Sequence, residues 1–247
     1  MKGDTIKAYF NQDAVVEDYV SATNRVGLWQ SEKIVFRQIF SPEQRILELG
    51  CGTGRIAQGL WKLGFRDITA IDFAPRMVEE AQRINGVLNA GVNFQVADAC
   101  ALPFEDQSFD GAIFGFNGLM QIPKRENRRI AMRGIFQVLK PGATFCFTTH
   151  DRGPFLNNDF WDKEQSAWDE GVQHPDIDEF GDLYYESPHG RLFIHTPTFD
   201  EISEDLNQSG FKVYATFFRW DICQEPEIVR EFSDECRFWI VHRPQEA

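Results

Sequence analysis

The sequence predicts an α/β protein built on a mainly parallel β-sheet, and three observations predict it. Between residues 45 and 149, short apolar runs of strand length alternate with segments whose apolar residues recur at helical spacing. The connections between these segments are short, as in right-handed strand–helix–strand crossovers. The first strand also runs directly into a glycine cluster that opens a helix.

The elements of this central region follow from local pattern. The five predicted strands are Arg45–Leu49, Asp67–Asp72, Val92–Ala97, Asp110–Phe116 and Ala143–Thr149. The three predicted helices are Arg55–Leu63, Ala74–Ile84 and Arg125–Leu139. The residues of the third helix expected to face the core are Ile130, Gly134, Ile135 and Val138. Pro141 and Gly142 then interrupt the helical pattern.

The two ends of the chain complete a single 247-residue domain. The first 40 residues are expected to form a helical cap, in which Trp29, Phe36 and Phe40 lie on one helix face. Residues 41–150 form the core and residues 151–197 an insertion without clear periodicity. Residues 198–247 are expected to add a helix, Thr198–Gly210, and the strands Phe211–Trp220 and Glu235–His242.

Composition narrows the function classes. The formal net charge is −13, which disfavours nucleic acids and anionic membranes as partners. No run is long enough to span a bilayer and the first residues lack the apolar stretch of a secretion signal, so a cytoplasmic location is expected. The five cysteines include no CxxC pair and are expected to be reduced. A homodimer is left open.

The strongest local signal is the loop Glu48-Leu-Gly50-Cys-Gly52-Thr-Gly54, which links a strand to a helix. Glycines at alternate positions let the backbone turn tightly and approach a ligand. Asp72 ends the next strand, where a carboxylate can accept ribose hydroxyls, and Asp98 follows the third strand, within reach of an adenine amino group. A carboxylate at Glu48 would repel a pyrophosphate. The pattern therefore favours a nucleoside with an amino-acid tail over a dinucleotide.

Five features occur together in a characteristic order. They are ILELGCGTGR, the acid at Asp72, ADACALPFEDQSFD, GAIFGFNGLMQI and VLKPGATF. The chain in this way resembles the class I S-adenosylmethionine-dependent methyltransferases, closely over residues 40–150 and in its final helix and strand pair over residues 198–242. The resemblance implies a Rossmann-like, seven-stranded, mainly parallel sheet with helices on both faces and an antiparallel last strand.

The resemblance also implies S-adenosyl-L-methionine as cofactor, S-adenosyl-L-homocysteine as product, and a set of cofactor-binding residues. The set is Glu48, Gly50, Cys51, Gly52, Gly54, Asp72, Phe73, Met77, Asp98, Ala99, Cys100, Phe116, Asn117, Tyr19 and Trp29. The glycines would face the methionine part, Asp72 the ribose and Asp98 the adenine amino group. Phe73 and Met77 would pack against the adenine, and Glu48 would order the loop.

Other residues are expected near the reacting methyl group. Phe116 and Asn117 would border it, while Tyr19 and Trp29 would close over the methionine end. His150 follows the fifth strand and is a candidate general base, with a purely structural role as the alternative. The implied function is methyl transfer to a nitrogen or oxygen of a small molecule. A methyltransferase acting on tRNA or protein, a non-catalytic cofactor-binding protein and a nicotinamide oxidoreductase are the alternatives.

The insertion and a basic cluster have two interpretations each. Residues 151–197 are expected to form a lid over the site, or otherwise a packed excursion that covers a sheet edge. The aromatic residues that favour a lid are Phe155, Phe160, Trp161, Trp168, Tyr184, Tyr185 and Phe193. The basic cluster Lys124, Arg125, Arg128 and Arg129 is expected to be a solvated helix face rather than a nucleic-acid patch. The histidines and acids of the insertion match no metal-ligand spacing, so no metal site is predicted.

Overall fold

A seven-stranded sheet lies at the centre of the computed structural model, which describes residues 3–153 and 158–245. Its strands are β1 Arg45–Leu49, β2 Asp67–Asp72, β3 Asn93–Val96, β4 Phe109–Phe114, β5 Leu139–Thr149, β8 Lys212–Phe218 and β9 Arg237–His242. Their order is β3-β2-β1-β4-β5-β9-β8, with β1 to β5 parallel and β9 antiparallel to both of its neighbours. The predicted Rossmann-like fold class is confirmed.

Helices cover both faces of this sheet. They are α1 Gly3–Phe10, α2 Asp13–Arg25, α3 Gln30–Ile39, α4 Arg55–Lys62, α5 Pro75–Val87, α6 Arg125–Val138, α7 Asn158–Asp169, α8 Phe199–Gln208, α9 Arg219–Ile222 and α10 Glu227–Phe232. One apolar core packs α3, α4 and α5 against the sheet, and a second packs α6 and α8 against its other face. Two-sided burial explains why the parallel strands are nearly continuous apolar runs.

The inward face of helix α6 matches the prediction only in part: Ile135 and Val138 are buried as expected, but other positions differ. Ile130 was expected in the core but is 36% exposed, whereas Arg128, Ala131 and Met132 are buried. Arg128 can lie inside because Glu179 of the insertion pairs with its guanidinium and the Ile122 carbonyl accepts a second hydrogen bond. A buried, paired arginine therefore takes an inward position that periodicity assigns to an apolar residue.

The expectation of a solvated basic face on α6 is also wrong. Arg125 and Arg129 each place Nε 2.8 Å from Oδ1 of Asp205 on α8. Arg128 is 1% exposed. Since the acidic partners come from segments about 50 and 80 residues away in the chain, the local sequence does not reveal them.

The insertion has its own secondary structure. Helix α7 precedes a two-stranded antiparallel hairpin made of β6 Asp182–Ser187 and β7 Gly190–His195. The hairpin packs on the N-terminal helices: Leu192 and Phe193 join the apolar cluster of α1, and the hydroxyls of Tyr9 and Ser187 are 2.8 Å apart. Phe155 lies outside the described residues. Across residues 3–153 and 158–245, no helix is long and apolar enough to cross a bilayer.

Candidate functional site

A cavity of about 560 Å³ opens at the carboxyl ends of the parallel strands. This is where open α/β sheets bind ligands. Its floor comes from the segments that follow four neighbouring strands, and these contribute Gly50, Gly52, Asp72, Phe73, Ala97, Asp98, Ala99, Cys100, Gly115 and Phe116. Four residues of α1 and α2 cover it from above, namely Ile6, Lys7, Phe10 and Tyr19.

The glycine loop after β1 forms one wall of the cavity. Gly50 and Gly52 have φ values of +61° and +53°, in the left-handed region where a side chain is strained. A Cβ on Gly50 would lie 2.7 Å from the Phe114 ring, and one on Gly52 would lie 3.2 Å from the ring of Tyr19. The glycines therefore keep the backbone open toward the cavity where α2 lies closest to it.

Asp72 connects this loop to the end of β2. Its Oδ2 accepts a hydrogen bond from the Gly52 N–H at 2.8 Å, and its Oδ1 accepts one from the Ala74 N–H at 2.9 Å. Burial raises the pKa of Asp72 to about 6, against the opposing effect of these backbone hydrogen bonds. At neutral pH the site therefore presents an ionised carboxylate that is only 8% exposed.

A second carboxylate stands at the end of β3. Asp98 is exposed to the cavity, and its Oδ1 accepts a hydrogen bond from the Cys100 N–H at 2.8 Å. The lining between the two acids is apolar, with Phe73 and Met77 on the β2 side, and the Phe73 and Phe10 ring centroids are 6.0 Å apart. Two carboxylates on neighbouring strands, separated by apolar surface, suit the hydroxyls, base and amino group of a nucleoside.

Six of the residues expected at the site do not line the cavity. They are Trp29, Glu48, Cys51, Gly54, Asn117 and His150. Trp29 lies in the core at 1% exposure, where its ring contacts the guanidinium groups of Arg55 and Arg219 at 4.8 and 5.1 Å. Arg55, which the Trp29 ring contacts, forms a buried two-pronged ion pair with Glu32 in the first turn of α3. Trp29 therefore packs in the core beside this ion pair.

The remaining predicted residues lie in the cavity wall, together with residues that the sequence did not indicate. Those that were not predicted are Ile6, Lys7, Phe10, Ile71, Val96, Ala97, Phe114, Gly115, Gly118, Gln121, Ile122, Pro123 and Asn127. The first three belong to α1, whose amphipathic pattern is a signal for packing but does not say on what. The last four reach the cavity because the turn after β4 folds back beside the end of β3, where the Cys100 thiol donates to the Asn127 carbonyl.

The turn after β4 has unusual backbone geometry. Phe116 and Asn117 have φ values of +51° and +57°, which is rare for residues other than glycine and common at functional sites. The Asn117 N–H donates to Thr148 Oγ1 at 3.0 Å. The Asn117 side-chain nitrogen lies 3.0 Å from His150 Nε2, and His150 Nδ1 lies 3.0 Å from the Glu235 carbonyl oxygen. The Phe116 ring stacks on Phe232 with centroids 5.1 Å apart.

Comparison with known proteins supports the resemblance found in the sequence. The family model described as a methyltransferase domain matches residues 46–142, which contain the glycine loop, Asp72 and Asp98. Over these residues the chain matches a methyltransferase domain, and the predicted resemblance to the class I S-adenosylmethionine-dependent methyltransferases is confirmed. Its cofactor is accordingly S-adenosylmethionine, with S-adenosylhomocysteine as the product.

Two curated proteins are similar to this chain in sequence, and one solved structure is similar to it in fold. The chain is 34% identical over 161 residues to the O-methyltransferase resE of Aspergillus sclerotiorum, a match that covers 62% of this chain and 58% of the relative. It is 33% identical over 173 residues to the O-methyltransferase rstn1 of Aspergillus nomiae, covering 69% and 65%. The chain thus spans less than two thirds of these relatives. A Methanosarcina mazei protein described as a SAM-dependent methyltransferase has the same fold, with a TM-score of 0.71, 21% identity and coverage of 86% and 98%.

The residues that line the cavity fit this cofactor. A side chain at Gly50 or Gly52 would collide with a neighbouring ring. Because glycine has none, the backbone at these positions is open to a ligand. Asp72 and Asp98 offer acceptors at neighbouring strand ends, with an apolar wall beside them. The volume falls within the range of small-molecule sites, roughly 300–1,000 Å³.

Glu48 lies outside the cavity, and its expected role in ordering the glycine loop stays a prediction. It is buried beneath the loop and its Oε2 has no hydrogen-bond partner among the described residues. Burial raises the pKa of Glu48 to about 8, although Arg55 opposes the shift. Glu48 is therefore mostly uncharged at neutral pH, so the argument that its charge would repel a pyrophosphate is wrong. The choice of a nucleoside rests on Asp72, Asp98 and the family instead.

A substitution at Glu48 should change how stability depends on pH. Between pH 4.5 and about 8, folded Glu48 keeps a proton that the unfolded chain releases, so the free energy of unfolding falls as the pH rises. Glu48→Gln keeps the shape without the proton and should remove this part of the decline. Urea unfolding at pH 6 and pH 8.5 measures the difference. If the free energy of unfolding changed equally with pH in wild type and Glu48→Gln, Glu48 would not be protonated in the folded protein.

Proposed function

We propose that this chain methylates a hydroxyl oxygen of a small molecule. The proposal rests chiefly on the cavity, in which two carboxylates and an apolar wall stand beside a glycine loop under a helical cover. It is supported by the two curated relatives described above, both of which are named O-methyltransferases. The net charge of −13 supports a small molecule rather than tRNA as the acceptor.

When bound, S-adenosylmethionine supplies an electrophilic methyl group: the acceptor oxygen forms the new bond to carbon, the sulfur keeps the electron pair of the broken bond, and the hydroxyl proton passes to water. The protein's part is to bind and orient. Asp72 would accept the ribose hydroxyls and Asp98 would accept from the adenine amino group. Phe10 and Tyr19, above the cavity, would limit the access of bulk water to the methyl group. Holding the two reactants in the correct relative orientation can lower the activation free energy of a reaction by about 7–11 kcal/mol.

The test is transfer of tritium from methyl-labelled S-adenosylmethionine to a panel of simple phenols, aliphatic alcohols and amines, with bulk tRNA as a further sample. We expect label in at least one hydroxyl compound and none in tRNA. Label in amines or tRNA alone would overturn the choice of acceptor. Tight binding of the cofactor with no transfer to any sample would favour a non-catalytic binding protein.

The cellular compartment of the enzyme and the role of the insertion are also proposed. All five cysteines are free thiols, which supports a reducing compartment such as the cytoplasm. The described residues of the insertion, 151–153 and 158–197, do not line the cavity, so a lid role would require them to act through α1, on which the hairpin packs. The hairpin and α1–α2 are proposed to act together as the cover of the site.

A further inference from the structure

Helix α1 crosses above the cavity from the hairpin to the end of β2. Its residues Ile6, Lys7 and Phe10 line the cavity. The centroid of the Phe10 ring lies 6.0 Å from that of Phe73, which follows β2, and 5.9 Å from that of Tyr19 on α2. These ring contacts close the cover on this side, so a ligand that crosses here must move α1.

Helix α2, in contrast, is attached to the glycine loop. Thr53 of the loop donates from Oγ1 to the Tyr19 carbonyl oxygen at 2.8 Å, and its Oγ1 lies 2.6 Å from that of Thr23. The connection between α1 and α2 is held by Asn11, whose Oδ1 accepts a hydrogen bond from the Arg76 N–H in α5 at 3.0 Å. The part of the cover that can move is therefore α1, with Asn11 as its hinge.

The hairpin β6–β7 supports α1 from the outside. Leu192 and Phe193 pack in the apolar cluster of α1, and the hydroxyl oxygens of Tyr9 and Ser187 are 2.8 Å apart. The Ser187 hydroxyl already donates to the Gly190 carbonyl oxygen, so the Tyr9 hydroxyl is the donor in the hydrogen bond between them. Neither Tyr9 nor Ser187 lines the cavity, so a ligand does not touch this hydrogen bond.

The hairpin is itself anchored at both of its ends. At its turn, His189 Nε2 lies 2.8 Å from Asp18 Oδ2 on α2. Just before β6, Glu179 pairs with the buried guanidinium of Arg128 on α6. The hairpin is therefore held by elements other than α1 and can keep α1 in place.

We propose that α1 is a gate over the cavity and that the hairpin, through the hydrogen bond from Tyr9 to Ser187, is the latch that holds this gate closed. The inference rests on the proposed function, because it takes the cavity as the binding site of the cofactor. Since the latch joins protein groups only, it acts equally with and without a ligand. Weakening the latch should therefore raise the rate constants for ligand entry and release by the same factor and leave the affinity unchanged.

Tyr9→Phe tests the latch, because it removes the hydroxyl and keeps the ring, while Ser187 retains its hydrogen bonds within the turn. Surface plasmon resonance with S-adenosylhomocysteine should show association and dissociation rate constants that are each raised about fivefold, which corresponds to one hydrogen bond of about 1 kcal/mol. The dissociation constant should stay within about twofold of wild type. Tyr214→Phe makes the same change at an exposed residue of the edge strand β8 and should alter neither rate constant.

A second readout needs no ligand. Helix α1 has eight residues, and so short a helix is not stable away from its packing partners, so amide hydrogen exchange in α1 reports the opening of the gate. Mass spectrometry should show exchange in α1 about fivefold faster in Tyr9→Phe than in wild type, with exchange in α2 unchanged.

Three results would each overturn the inference. They are rate constants that are the same in Tyr9→Phe and Tyr214→Phe, a weaker affinity of Tyr9→Phe with an unchanged association rate constant, and unchanged hydrogen exchange in α1. Failure of wild type to bind S-adenosylhomocysteine would instead refute the proposed function, and hydrogen exchange would still decide whether the hairpin holds α1 closed.

Discussion

Replacing Asp72 by alanine is expected to weaken binding of S-adenosylhomocysteine by about 100-fold. The carboxylate lines the cavity and holds the Gly52 N–H, so its loss removes a charged acceptor for the ribose and releases the loop. Hydrogen bonds to a charged group contribute about 1.5–3 kcal/mol each, and two at the lower value correspond to roughly 100-fold. Isothermal titration calorimetry at pH 7.5 measures the change directly.

Asp67→Ala provides a matched control, because Asp67 is an exposed residue at the opposite end of the same strand. It should leave the affinity unchanged. Affinity in wild type should also fall as the pH is lowered through about 6, since protonation of Asp72 removes the charge that the ribose hydroxyls use. Equal affinities in Asp72→Ala and Asp67→Ala would show that the nucleoside lies elsewhere.

Replacing Arg128 by alanine is expected to lower the free energy of unfolding by about 3 kcal/mol, the lower end of the range for breaking a buried ion pair. Arg128 is fully buried on α6 and pairs with Glu179 of the insertion. Glu179 and Asp182 in turn lie beside His195, with ligand-type atoms within 4.8 Å of one another. Because the next residue, Asn127, lines the cavity, Arg128→Ala should also weaken the binding of S-adenosylhomocysteine.

Arg133→Ala is the control on the same helix. Its ion pair with Glu126 is exposed, and exposed pairs contribute about 0–1 kcal/mol. Urea unfolding of both variants, together with Glu179→Ala and the double variant Arg128→Ala/Glu179→Ala, measures the coupling between helix and insertion. If Arg128→Ala lowered the free energy of unfolding no more than Arg133→Ala does, the buried pair would contribute little to holding the insertion in place.

Prediction from the sequence succeeded where the determining contacts are local. The glycine loop, Asp72 and Asp98 lie at strand ends, and a parallel sheet brings those ends together whatever surrounds them. The strand bounds were correct to within a few residues, although β5 begins at Leu139 and continues through Pro141 and Gly142, which were expected to separate helix from strand.

Prediction failed where partners come from distant segments. Trp29 was expected at the site, but the Arg55–Glu32 ion pair places it in the core. The inward face of α6 depends on Glu179, and the solvation of Arg125 depends on Asp205. Helical periodicity depends on the spacing of apolar side chains and gives no information on which charged side chains form buried ion pairs. The inward position of Arg128 could therefore not be inferred from the pattern.

The cavity is expected to bind the nucleoside and the amino-acid tail of S-adenosylmethionine. The most direct test is the thermal shift of the wild-type chain with S-adenosylmethionine, S-adenosylhomocysteine and NAD in parallel. A ligand at about 100 times its dissociation constant stabilises by about 2.7 kcal/mol, which for a chain of this size is roughly 5–10 °C. We expect this shift with the first two ligands and none with NAD. A shift with NAD alone, or with none of the three, would contradict the account.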